Sequence, residues 1–176
     1  MSKATSINEI HLWGRRLRLF TILLVWLGLA AYVLLLYMGK IDDILHLPEN
    51  VHIDPVSLSA SGWLVVALLG AIRPLAFAPV LWSLYRLFSA YEKGIVFSLQ
   101  NIRWIRLCGL SLIAIDVIFV LHSMLVGPVL SEAAITGRFF VIQFGISYSI
   151  IGLFVFLTSK IMQLAQSSMS EKQTNR

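Results

Sequence analysis

Charge is scarce in this chain. Asp, Glu, Lys and Arg make up 13% of its 176 residues and 58% are hydrophobic, where soluble globular proteins carry roughly a quarter charged residues. With a mean hydropathy of +0.83, this balance excludes a soluble enzyme. Cysteine is almost absent: Cys108 stands alone, which excludes an intramolecular disulfide, a thiol redox pair and a cysteine-based metal site. Nor does the sequence hold a nucleophile with its base, a phosphate-binding glycine loop or a pair of catalytic carboxylates. No catalysis, cofactor or metal is therefore expected.

What is present are four apolar runs. Residues 19–39 and 139–159 carry no charge over 21 positions each, and residues 62–85 and 107–130 carry one charge each over 24. Each exceeds the roughly 20 residues that a helix needs to cross a hydrocarbon core. Together they take 90 of the 176 residues, which leaves no room for a separate soluble domain. The expectation is one all-α membrane domain over residues 1–176, a four-helix bundle with a cytoplasmic tail over 160–176. The first run follows a basic N-terminus but lacks an A-x-A-like cleavage site, so it reads as a retained anchor.

The bases sort by side. Lys3, Arg15, Arg16 and Arg18 precede the first run, Arg86, Lys93, Arg103 and Arg106 join the second to the third, and Lys160, Lys172 and Arg176 follow the fourth. That is eleven against two, Lys40 and Arg138, so the positive-inside rule puts both termini in the cytoplasm of a bacterial inner-membrane protein. The pI near 9.7 then reflects bases flanking spans; anionic lipid is the expected partner, through Arg15, Arg16 and Arg18, and nucleic acid is not.

Ser6 to Glu9 fits a capping box that opens a short interfacial helix, with Ile10, Trp13 and Leu17 on one face and His11, Arg15 and Arg18 on another. This helix is expected to run into the first span. Between the second and third spans, Gly94 reads as a helix C-cap and Ser98 as the next N-cap, with Phe97, Ile102 and Trp104 pressing the turn into the headgroups. Two readings of this short interfacial turn stay open: a hairpin lying at the headgroups, or a docking surface.

The loop over 40–61 is acidic. Asp42, Asp43 and His46 would share a helical face, with Glu49, His52 and Asp54 close by, yet no strict metal-ligand spacing is present. On the fourth run Gln143 and Ser147 share a face, among the small residues Gly145, Ser149 and Gly152; these read as packing positions. Beyond Gln166 the tail is polar and expected to fray.

Arg73 and Asp116 are the only charges within the runs, and each costs roughly 2.5 to 3.5 kcal/mol to insert at a membrane helix centre. Their positions along antiparallel helices place them at similar depth, so a pair between the second and third spans is expected, with Gly70, Gly109 and Ser123 allowing close approach. Pro74 and Pro79 free the carbonyls of Gly70 and Leu75 as further acceptors. The pair either fixes helix register or marks a substrate, ion or proton path. His122, six residues beyond Asp116, is expected to be a satisfied interfacial histidine.

The run from Tyr91 to Arg103, with Gly94, Phe97, Ser98 and Asn101 in a G-x-x-F-[ST]-x-x-N pattern, resembles small bacterial four-span membrane proteins grouped as domain of unknown function 2975. Span order and loop lengths extend the likeness over most of the chain. The tail departs from it: those proteins often end in an acidic helix with a Thr-Ile terminus, and this chain ends Gln173-Thr174-Asn175-Arg176. The resemblance implies fold and location and no established activity; some members are linked to small helix-turn-helix regulators, which implies a membrane-side partner at the turn.

The function expected is thus a non-catalytic regulatory or accessory subunit. Its partner would dock at Gly94, Phe97, Ser98, Asn101, Arg103 and Arg106. The competing class is an oligomeric small-solute or ion transporter or channel that uses Arg73 and Asp116, since four helices alone leave little room for an aqueous path.

Overall fold

The computed structural model describes residues 3–49, 51–95, 98–132, 135–137, 139 and 145–174, with backbone alone for 3–8 and 168–174. Among the described residues there is no strand. The helices are α1 (Lys3–Tyr37), α2 (Ile41–Leu45), α3 (Ala60–Ala76), α4 (Ala78–Glu92), α5 (Leu99–Glu132) and α6 (Ser147–Thr174), with a 3-10 turn at Pro55–Ser57. Four stretches are long and apolar enough to cross a membrane: Glu9–Tyr37, Ala60–Glu92, Leu99–Glu132 and Ser147–Ser167. Each is helical for the reason hydrocarbon imposes, since a helix satisfies its own backbone N–H and C=O groups without water. Only 6% of the apolar window of the first is buried against protein, compared with 39% for α5, so α1 offers its apolar sides to its surroundings and α5 is the packed element.

Several boundaries differ from the apolar runs. The first helix is already formed at Lys3, so Ser6 lies within it and does not open it. The second run is two helices: Pro74 cannot donate to the Gly70 carbonyl, α3 stops at Ala76, and the Phe77 N–H turns back to the Pro74 carbonyl at 3.2 Å. Pro79 then sits as the second residue of α4, where its missing N–H breaks no intrahelical bond. The last helix opens at Ser147, not at Phe139: Phe139, Gly145 and Ile146 are non-helical. Hydropathy registers apolarity, not helicity, and Gly145, a poor helix former, stands just before the helix start. Gln143 lies outside the described residues, and α6 persists to Thr174, beyond the point where the tail is expected to fray.

Contacts gather the chain into two units. The first comprises Met1–Val25, Ala78–Ala114 and Ser147–Arg176. Here Val80, Ser83 and Leu87 of α4 are buried, as are Ile102 and Cys108 of α5; Ile102 is core, not an interfacial anchor. Where α5 meets α6, a Cβ on Gly109 would fall 2.8 Å from the Gly152 carbonyl oxygen, so glycine lets the two backbones touch. The Arg106 guanidinium donates to Gln163 Oε1 at 2.6 Å. The N-terminal part of α1 seats on the end of α4, where a Cβ on Gly14 would fall 2.6 Å from the Glu92 nitrogen. The start of α1, the α4–α5 turn and the later part of α6 therefore share one end of this unit.

The second unit comprises Trp26–Phe77 and Ile115–Ile146. Its core is Ile41, Leu45, Ile53, Val66, Leu69, Val126 and Leu130. The short α2 is thus no free loop: Ile41 and Leu45 are buried, and Ile44 packs directly on Gly70 of α3, where a side chain would collide with it. Asp42 ties the segment that follows, accepting from the Ile53 N–H at 3.2 Å and pairing with His52 at 2.8 Å. The Tyr32 hydroxyl of α1 donates to the Ala67 carbonyl at 2.5 Å.

Candidate functional site

The turn between α4 and α5 is built by the residues of the glycine-serine-asparagine pattern. Gly94 has φ +74°, a left-handed conformation that costs a side-chain-bearing residue about 1 to 2 kcal/mol. That geometry lets the Gly94 N–H reach the Tyr91 carbonyl at 2.9 Å and the Ile95 N–H reach the Ala90 carbonyl at 3.0 Å, the double bond of a Schellman cap. Ser98 then opens α5, its hydroxyl accepting from the Asn101 N–H at 3.1 Å. The Asn101 side chain is buried and donates to the Ile95 carbonyl at 2.6 Å, closing the turn from within.

Three residues expected to meet a partner therefore hold the turn itself. Asn101 is inaccessible, Ser98 is occupied as a cap, and Gly94 contributes conformation. Arg106 is engaged with Gln163, whereas Arg103 is exposed. Phe97 lies outside the described residues.

Helix α1 braces this turn. His11 Nδ1 bonds to the Glu92 carbonyl, the His11 ring faces Gly94, and Arg18 pairs with the Glu92 carboxylate at 2.6 Å. Positions 11, 14 and 18 fall on one helical face, with Gly14 in the middle as the point of closest approach. Arg18, expected at lipid headgroups beside Arg15 and Arg16, is thus directed into the protein; Arg15 and Arg16 are exposed. The charge of Glu92 provides the reason, since a partly buried base is better placed beside a carboxylate. The 3-4 spacing of His11, Gly14 and Arg18 was visible in the sequence, but nothing in it named Glu92 as their target.

In the second unit, Arg73 meets α5 away from Asp116. Its Nε donates to His122 Nδ1 at 3.4 Å and its guanidinium lies over the Phe119 ring at 4.9 Å. His122 is buried, and its Nε2 lies 3.0 Å from the Leu69 carbonyl. One nitrogen accepts and the other donates, which defines the neutral imidazole with its proton on Nε2. The expected Arg73–Asp116 pair is absent from these contacts, and side-chain direction explains it. The Leu69–His122 bond places Arg73 level with about residue 118 of α5, but helical side chains lean toward their own N-terminus. On antiparallel helices Arg73 therefore leans toward Phe119 and His122, while Asp116 leans the other way. The Asp116 carboxylate, itself buried, faces Gly145.

His46 completes this region. It terminates α2 with φ 53°, and its Nδ1 lies 3.3 Å from the Ile44 carbonyl. His46 and Ser123, the neighbour of His122, line the same small cavity with Leu45, Val126 and Phe139. Burial and the Arg73 charge hold the His46 pKa below its ordinary value, partly opposed by the Ile44 carbonyl and Asp43. The sequence grouped His46 with Asp42 and Asp43; instead Asp42 turns to His52, and among the described residues no group of three His, Cys, Asp or Glu side chains is placed to hold a metal.

A family model matches residues 5–174, almost the whole chain. The chain belongs to the DUF2975 family. The description of DUF2975 is that of proteins of unknown function, so membership leaves the chemistry to be argued from residues. No curated protein and no solved structure matches the chain.

Proposed function

We propose that this DUF2975 protein is a non-catalytic regulatory or accessory subunit of the bacterial inner membrane, with both termini in the cytoplasm, that presents the α4–α5 turn to a protein partner. The supporting observation is a turn whose described residues are tied from within while apolar side chains stay exposed on it. The Schellman cap, the Ser98 cap, the Asn101 tie and the α1 brace fix its backbone, while Ile95 and Leu99 remain 49% and 63% exposed beside exposed Lys93, Gln100 and Arg103. A preformed surface loses little conformational entropy on docking. The orientation is supported by the excess of bases on the segments that share this end.

A photo-crosslinking amino acid at position 99, introduced into the full chain in native membranes, tests this reading. A discrete protein adduct that disappears with Arg103→Glu, while membrane insertion is unchanged, is the expected result. Adducts to lipid alone would show that the turn merely lies at the headgroups.

A further inference from the structure

Inward of the turn, the first unit carries an arginine that, among the described residues, makes ring contacts and no hydrogen bond or ion pair. The guanidinium carbon of Arg86 on α4 lies 5.9 Å from the Trp82 ring centre and 5.3 Å from that of Trp104 on α5. Arg86 is exposed, and Glu92, the only acid in residues 78–114, is taken by Arg18. We propose that Arg86, oriented by Trp82 and Trp104, binds the phosphodiester of an anionic phospholipid whose acyl chains run inward along Trp82 and Leu107.

Depth is the first feature that selects this ligand. Arg86 is the first base after the second apolar run, residues 62–85, so it stands where hydrocarbon gives way to headgroups, the level at which tryptophan is enriched. Trp82 lies four residues inward of Arg86, about 6 Å along the helix, and Leu107 lies three residues inward of Trp104 on the antiparallel α5. Both are exposed, by 56% and 38%, and offer acyl chains an apolar surface beneath the charge.

Hydrogen-bonding capacity is the second. A cation–π contact uses the charge above the ring and leaves the planar fork of N–H donors, which matches the paired oxygens of a phosphate group. Two rings from different helices restrict the long side chain, so less conformational entropy is lost when a ligand binds.

Sign is the third. Lys93 and Arg103, both exposed, stand outward of Arg86 toward the turn. A zwitterionic headgroup would bring its ammonium among these bases, whereas an anionic headgroup brings none, and each base near the surface favours anionic lipid. The site lies more than one turn inward of Leu99, so it is separate from the docking surface and does not rest on it.

The experiment uses the full chain in phosphatidylcholine nanodiscs doped with phosphatidylglycerol that carries a diazirine in an acyl chain, with photoadducts mapped by peptide mass spectrometry. Phosphatidylcholine with the same diazirine is the reference probe. Both leaflets of a disc hold the probe, so the readout does not depend on orientation. Adducts of the phosphatidylglycerol probe are expected at residues 82–86 and 104–107, in excess over the reference, and should fall when unlabelled phosphatidylglycerol is added. Arg86→Gln lowers that excess at least about fivefold, the loss expected for one base at the membrane surface. Arg86→Lys, which keeps the charge and loses the fork, retains part of it. Trp104→Leu, which leaves every charge in place, also lowers it, whereas Arg16→Gln, at an exposed base of α1, does not. All variants are compared in discs whose circular dichroism matches the wild type. Equal labelling by the two probes in the wild-type chain, or a wild-type excess in Arg86→Gln or Trp104→Leu, overturns the proposal.

Discussion

Arg73 and His122 are joined by a 3.4 Å contact in which the arginine Nε is the donor and the imidazole Nδ1 the acceptor, while the opposite imidazole nitrogen holds the Leu69 carbonyl. One neutral side chain thus ties α3 to α5 by two bonds at the level of the intramembrane charge. Replacing His122 by alanine removes both bonds, and the loss of a hydrogen bond to a buried group costs about 1–3 kcal/mol. His122→Gln, which has both an acceptor and a donor, is expected to recover part of that loss. Thermal unfolding of the purified chain in detergent, compared across the two variants, measures the difference.

Gly14 sets the seat of α1. A side chain there meets the Glu92 backbone, which cannot move aside as a flexible side chain would, so Gly14→Leu is expected to lift the start of α1 from the turn. Cysteines introduced at His11 and Gly94, in a Cys108→Ser background, should crosslink on oxidation and fail to do so when Gly14→Leu is added. Persistence of the crosslink would show that α1 is held elsewhere.

The turn residues should act through stability. Gly94→Ala is expected to cost about 1–2 kcal/mol from the left-handed conformation, and Asn101→Ala about 1–3 kcal/mol from the lost bond to the Ile95 carbonyl. Leu99→Asp, at an exposed position, should leave unfolding unchanged within about 0.5 kcal/mol. Denaturation of the three variants in parallel separates residues that hold the turn from those that it displays.

His46 predicts a pH dependence of defined sign. Its folded pKa lies below the unfolded value of 6.5, so between the two the unfolded chain binds the extra proton and the folded one does not. Its contribution to stability is complete above pH 6.5 and is lost as pH falls through the folded value. Melting temperatures measured from pH 8 downward should decline below about pH 6.5, and His46→Ala should flatten that part of the decline.

Much of this was legible from local pattern. Long apolar runs require helices because hydrocarbon offers the backbone no partners. Gly94 and Ser98 announced a helix stop and start, since a left-handed stop and a hydroxyl cap are properties of single residues. The start of α6 was less legible, because apolar composition does not distinguish helix from other backbone.

The partners of the charged groups were decided by the tertiary structure alone. Arg18 turns to Glu92 because Gly14 lets α1 approach the end of α4. Arg73 turns to His122 and not Asp116 because side chains on antiparallel helices lean in opposite directions, a displacement that counting residues along a helix does not contain. His46 reaches the same region because Ile44 fills the space above Gly70. The sequence by itself determined which few charges would need partners; helix direction, and the close approaches that glycine permits, determined which partners they meet.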